Sequence, residues 1–276
     1  MKILITHHNP HLDDICGMWL LERLDASFKN AKHSYVAANP DVLHKKILSD
    51  ANHVPVGVGR GAFDEHKGDI GDSAASLVWK FLKKKGLKMT VLEIAAMDEL
   101  VEWVKIGDQG KLTGQVFQEF LPHVPITYIP KMKGKNSDDA TVFGYLYLDG
   151  IFEGLKEKHL LLKDWKHRLT FQTRWGRGVA VESAVSSDIV GRQALLTGHV
   201  IYIIVNPQSK FRSARASAKS RVDFTRAYEK MKTLEPKAEW YLHHSKKLLI
   251  CGSTVAANVY LSKIPLKTLA EIVKKS

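Results

Sequence analysis

Residues 7–14 read HHNPHLDD, so that His7, His8, His11, Asp13 and Asp14 crowd into one short stretch. Imidazole nitrogens and carboxylate oxygens are the common ligands of Zn, Mn and Fe ions. A sharp turn after a strand would bring His7, His11 and Asp13 to one point. Two aspartates alone would suit the positive end of a helix, but that reading leaves the three histidines without a reason. Farther on, Asp64, Glu65 and His66 follow VGVGRGAF, where Gly57, Gly59 and Gly61 would let the backbone approach a ligand closely and Arg60 stands among them. By itself the glycine-rich turn is an ordinary loop, and His66 alone an ordinary surface histidine. Asp108, between Gly107 and Gly110, is a third candidate; Asp98 and Glu99 compete with it and otherwise sit on a solvated helix face. His243 and His244, beside Lys246 and Lys247, either reach a substrate or lie on the surface.

The surrounding pattern says what must position these groups. KILIT (2–6) is apolar enough for a buried strand, and LDDICGMWLLERL (12–24) has helical spacing, so the first cluster belongs on a strand-to-helix turn. Open α/β sheets place their sites at such turns. SYVAAN (34–39) and HVPVGVG (53–59) are further strand candidates, and VLHKKIL (42–48) a short helix. Asp72 and Ser73 read as N-caps of a helix that ends at Gly86. Another helix is expected from Met89 to about Asp108. Residues 138–175 read as two helices broken near Gly150 or Gly154. GVAVESA, HVIYIIVNP and KLLICGS read as strands, followed by a terminal helix. The expected fold class is therefore α/β: a parallel-sheet domain over 1–175, then a smaller α+β portion over 176–276.

Composition narrows the classes further. Lys and Arg number 41 against 29 Asp and Glu, a formal +12. Residues 208–232 hold eight Lys or Arg and two acids, which is half of that excess. Such a segment suits a nucleic acid or another phosphorylated partner, or else a solvated loop and helix face. No run of about 18 apolar residues appears, which argues against a membrane span. MKILITHH is too short an apolar stretch for a secretory signal. With two cysteines far apart, Cys16 and Cys251, a reduced cytoplasmic protein with buried thiols is expected.

The order of these motifs resembles the Myg family of DHH-like metal-dependent phosphoesterases and exonucleases. Thr6, His8–Asn9 and His11–Leu12–Asp13–Asp14 match its first motif, and Phe63–Asp64–Glu65–His66–Lys67 its Y-D-H-H-Q. Ser73–Ala74–Ala75–Ser76–Leu77–Val78 matches its S-S-A-G-L-V, and Asp108–Gln109–Gly110 its D-N-G. The strand GHVIYIIVNPQSKFRSA and the stretch HHSKKLLICGS resemble late family motifs. Glu65 departs from the first histidine of the family's pair. Val54–Pro55 stands where the family has a metal-bridging aspartate, which allows a single-metal or inactive variant.

The resemblance implies hydrolysis of a phosphodiester in RNA or single-stranded DNA, with a divalent metal, Mn in preference to Zn or Mg. His7, His11, Asp13, Asp64 and Asp108 would be ligands; His66, Glu65 and Asp14 would be catalytic. Arg60, His8, Lys210, Arg212, Arg215, His243 and His244 would bind substrate. Spacing to His11 favours His7 as ligand, whereas the family's H-N dipeptide favours His8. Two alternatives stand beside this reading. One is a nucleic-acid-binding protein on a degraded scaffold. The other is a zinc deacetylase of LmbE-like type, whose opening motif is similar to Pro10–His11–Leu12–Asp13–Asp14.

Overall fold

The computed structural model describes residues 1–37, 50–68, 71–111, 123–252 and 260–276. It divides into two compact units, Met1–Leu155 and Lys156–Ser276.

The first unit is built on a parallel three-stranded sheet, ordered β2-β1-β3, from β1 (Ile3–His7), β2 (Lys32–Val36) and β3 (His53–Pro55). β1 is central, with Leu4 facing His33 on one side and Val54 on the other. Helix α1 (Leu12–Leu24) follows β1 after a four-residue turn and is buried on every side from Leu12 to Leu21. A helix buried on every side belongs inside a layered core, and here its first turn carries the buried Asp13 and Asp14. Around it pack α2 (Ala74–Lys84), α3 (Val91–Asp108) and the first part of α5 (Ser137–Asp164), through Val78, Leu82, Met97, Leu100, Leu148 and Phe152. A short α4 (His123–Tyr128) precedes α5. Ser73 caps α2, and Thr90 with Glu93 forms a capping box at α3.

The second unit holds a six-stranded mixed sheet, ordered β4-β5-β6-β7-β9-β8. Its strands are β4 (Leu169–Thr173), β5 (Gly176–Glu182), β6 (Ile201–Val205), β7 (Arg212–Ala216), β8 (Trp240–Leu242) and β9 (Leu248–Cys251). Among the described pairs only β5 and β6 run parallel; the others are antiparallel. β6 reads IYIIV without polar breaks because both of its faces are covered. Ile201 and Ile203 meet α7 (Thr225–Leu234) and α8 (Leu266–Lys274), while Ile204 meets α6 (Ser187–Leu196) and the end of α5.

Four expectations change. α5 is one unbroken helix through Gly150 and Gly154. The division between units falls within it, ahead of residue 175, because β4 pairs with β5 and so joins the second sheet. α6 and α7 interleave with the later strands, so the order is not strands followed by one helix. The basic segment is not a solvated loop throughout: β7 runs through it, with Arg212, Ser213 and Ala214 buried. The expected helix at 42–48 lies outside the described residues, as do Ala38 and Asn39. Both cysteines are free and buried. No helix among the described residues is long and apolar enough to cross a membrane.

Candidate metal centre

The turn after β1 bends sharply at Asn9, whose φ is +54°. Pro10 is buried, and His11 caps α1, donating its backbone N–H to Asp14 Oδ2 at 2.9 Å. This cap carries the first cluster into a single cavity. The same Asp14 oxygen lies 2.9 Å from His7 Nε2, and His7 Nδ1 lies 2.8 Å from the His8 carbonyl. With acceptors at both ring nitrogens, His7 holds its proton. The Asp14 bond raises its pKa to about 9 against the opposing effect of burial. An Nδ1 bond to a carbonyl also fixes the ring as it would be fixed for an Nε2 ligand.

Asp13, also on the cavity wall, is anchored to the next helix. It is 4% exposed, and its oxygens accept from the Ala74 and Ala75 amides at 2.7 and 3.1 Å. The carboxylate thus caps the N-terminus of α2, where the helix dipole favours negative charge. Burial and the nearby Asp14 push its pKa well up, against the bonds from Ser73 and Ala75.

The loop after β3 supplies the second wall. Gly57 adopts φ +67°, and a Cβ there would lie 1.7 Å from Asp14 Oδ1. Its role is to make room for that carboxylate. Asp64 organises the loop: it accepts from the Arg60 amide at 2.5 Å, the His66 amide at 3.0 Å and His66 Nδ1 at 2.9 Å. Glu65 follows, its Oε2 buried with no hydrogen-bond partner. Burial raises the Glu65 carboxyl, and the charges of Asp108 and Asp14 add to this. Asp108, where α3 ends, is likewise raised by burial and then by Asp14. His66 is 71% exposed on its side chain.

One cavity of about 590 Å³ gathers these groups, lined by His7, His11, Asp13, Asp14, Glu65 and Asp108 along with Arg60, Asp64, His66 and the Gly57–Gly59 backbone. Among the described residues, three triplets each offer ligand atoms within 4.8 Å of one another: His7–His11–Asp14, Asp64–Glu65–His66 and Asp13–Glu65–Asp108, the last two sharing Glu65. The donor set is nitrogen and carboxylate oxygen without thiolate, which suits a borderline or hard divalent ion. Glu65 Oε2 is a buried acceptor lacking a donor, and a cation would satisfy it. The residues present therefore fit a divalent metal.

Every expected member of the first unit's site lines the cavity except His8, which is exposed on the far side of the turn and donates its amide to Val36. Of the two, His7 lines the cavity and His8 does not. Asp98 accepts from Trp79 Nε1 and Lys83 Nζ instead of entering the cavity. Lys210, Arg212, Arg215, His243 and His244 belong to the second unit. Arg212 is not a free cation on a phosphate-binding surface. It is buried, with Nε donating to the Ile264 carbonyl and Nη1 to that of Lys210, both at 2.8 Å. Arg215 pairs with Asp188 at 3.1 Å. Lys210 folds back onto the Pro207 carbonyl, and the His243 and His244 rings stack 3.9 Å apart in the β8–β9 turn. Sequence reasoning missed the fit of Gly57 to Asp14. Only its place in a glycine-rich turn could have signalled it.

No protein-family model matches the chain, and no curated protein matches it. By structure it is similar to an uncharacterized protein from Helicobacter pylori, at 13% identity and a TM-score of 0.32 over the full length of both chains. It is also similar to RecJ in complex with Mg2+ from Thermus thermophilus, at 10% identity and a TM-score of 0.35. That second alignment covers 99% of this chain and 49% of RecJ, so the chain spans about half of RecJ's length. At such scores neither likeness bears on fold or function.

Proposed function

We propose that this chain is a divalent-metal-dependent phosphodiester hydrolase of DHH-like type, acting on RNA or single-stranded DNA. The carrying observation is that three ligand triplets, two of them sharing Glu65, line one cavity, with Glu65 Oε2 buried and without a hydrogen-bond partner. His7, His11 and Asp14 would hold one ion. Glu65 and Asp108, with Asp13 behind them, would serve a second or complete the first. Such an ion, when bound, polarises phosphoryl oxygens and acidifies water.

The side chains supply the rest. Glu65, its carboxyl raised by burial, is suited to take a proton from the attacking water. His66, held by Asp64 and open to solvent, is suited to give one to the leaving oxygen. Arg60, on the cavity rim, would meet a non-bridging oxygen. Lys210, Arg215, His243 and His244 remain candidates for binding phosphates. The basic balance of the chain favours a polyanionic substrate, and Mn is the ion we favour.

The test is metal content by elemental mass spectrometry after dialysis against Mn and then Zn, with hydrolysis of end-labelled single-stranded RNA and DNA. Retained metal, lost in Glu65→Gln and His11→Ala, together with cleavage, supports the proposal. A preference for Zn with no phosphodiester cleavage favours the deacetylase. The Val54–Pro55 stretch in β3, which offers no ligand, keeps one more reading in play. Salt-sensitive nucleic-acid binding without metal would favour that non-catalytic scaffold.

A further inference from the structure

A second set of titratable side chains sits where α1, β2 and α5 meet. His33 Nε2 lies 2.6 Å from Glu22 Oε1, and His33 Nδ1 lies 3.2 Å from Asp138 Oδ1. Tyr145 donates to the same Glu22 oxygen at 2.7 Å, and Tyr35 to the same Asp138 oxygen at 3.0 Å. A neutral imidazole has one N–H. With both nitrogens facing carboxylate oxygens, a neutral ring would set lone pair against lone pair on one side. This geometry calls for the imidazolium. Burial lowers the proton affinity of His33, but Glu22 and Asp138 outweigh it and hold the pKa above the ordinary value. Among the described residues, those two carboxylates and the Tyr145 hydroxyl, 3.4 Å from Nε2, face the ring, while the Tyr35 hydroxyl bonds Asp138.

Asp138 is in the first turn of α5, next to Ser137. Ser137 is buried, and its Oγ accepts the Asn9 N–H at 3.0 Å. On the opposite side, the His8 N–H donates to the Val36 carbonyl at the end of β2. The turn that presents His7 and His11 is therefore held between β2 and the first turn of α5. His33 and Tyr35 tie those two supports together through Asp138. Thr141, bonded to Tyr35 and to the Ser137 carbonyl, closes the network.

We propose that Ser137 and His33 are positioning residues for the metal-bearing turn: Ser137 fixes the Asn9 backbone, and protonated His33 clasps the first turn of α5 to β2. The inference rests on the metal reading above for what the turn is for, but not for whether the clasp exists. Loss of the His33 proton removes one of its two carboxylate contacts. The longer one, to Asp138, yields first. Ser137 then holds Asn9 less firmly, and His7 and His11 lose their alignment.

The test begins with metal-free protein labelled with 15N at histidine and asparagine, titrated by NMR from neutral to alkaline pH. His33 should titrate above an ordinary histidine, and the Asn9 amide should follow with the same midpoint. Asp138→Asn, which does not touch His7, should lower that shared midpoint. Mn affinity by electron paramagnetic resonance should be about 3- to 10-fold weaker in Asp138→Asn below the wild-type His33 midpoint, and equal to wild type above it. Ser137→Ala should weaken Mn at every pH, with rescue by Ser137→Thr. An Asn9 amide indifferent to Asp138→Asn overturns the proposal, as does an affinity ratio that is flat with pH. Wild-type protein that binds no Mn overturns the metal reading, while the Asn9 titration, which needs neither metal nor activity, still decides the clasp.

Discussion

Replacing Gly57 with alanine should dismantle the cavity from behind, and a neighbouring glycine supplies the control. Gly57 and Gly59 share the left-handed backbone region, at φ +67° and +77°, so alanine at either costs about 1–2 kcal/mol of backbone strain. They differ in what a methyl group meets. At Gly59 the nearest atom is Pro55 Cβ at 3.7 Å, an ordinary contact; at Gly57 it is Asp14 Oδ1 at 1.7 Å. The Asp14 carboxylate would have to retreat by roughly 1.5 Å or more to reach normal contact. Being planar, it takes Oδ2 with it, and Oδ2 is the atom bonded to His11 N and His7 Nε2. Losing one such charge-assisted bond costs about 1.5–3 kcal/mol. Urea unfolding should therefore show a loss of about 1–2 kcal/mol in Gly59→Ala and about 3–5 kcal/mol in Gly57→Ala. Mn affinity should survive the first and collapse in the second. Equal stability losses in the two variants, with equal Mn binding, would refute the reasoning.

Other consequences can be checked on the same material. Mn must displace the His7 proton, held to about 9 by Asp14, so near-neutral binding should release close to one proton. Calorimetry in buffers of different ionisation heat reads this, and no buffer dependence would contradict it. The raised pKa also gives metal-free protein a stabilisation that is full below 6.5 and lost as pH rises through about 9. Urea midpoints in chelator should fall across that window, and less so in His7→Gln. Asp13→Ala strands two buried amides and should cost about 2–6 kcal/mol; a variant that loses metal but keeps full stability would make Asp13 a ligand and not an anchor. Arg212→Ala should destabilise by about 2–4 kcal/mol without changing the salt dependence of nucleic-acid binding, whereas Lys210→Ala or Arg215→Ala should reduce that dependence.

The parts of this fold readable in advance are those fixed by neighbours in sequence. α1 is legible residue for residue because its apolar spacing and its acidic first turn agree. The Ser73 cap and the α3 helix follow from equally local signals. β7 is not readable: FRSARASA lacks β-branched residues, and its burial comes from partners on β6 and β9. The unbroken α5 is hidden by Gly150 and Gly154. Each costs about 1 kcal/mol in a helix, but Leu148, Phe152 and Leu155 are buried around them. Within the site, residue types and order point to the members. Their division of labour is invisible, since Asp13 is engaged by α2, Asp14 depends on Gly57, and Asn9 depends on Ser137, all distant in sequence.

The cavity draws on residues from His7 to Asp108, and its brace on Ser137. At ordinary rates of synthesis, Asp108 is joined to the chain about 5–20 s after His7. During that interval the growing chain displays three histidines and two aspartates with none of the geometry that would select among cations. Any ion captured then would be held by a flexible, open set of donors and would exchange freely. On the metal reading, selectivity would begin only once α3 and the first turn of α5 have docked, so metal choice would be an act of the finished fold and not of the nascent one.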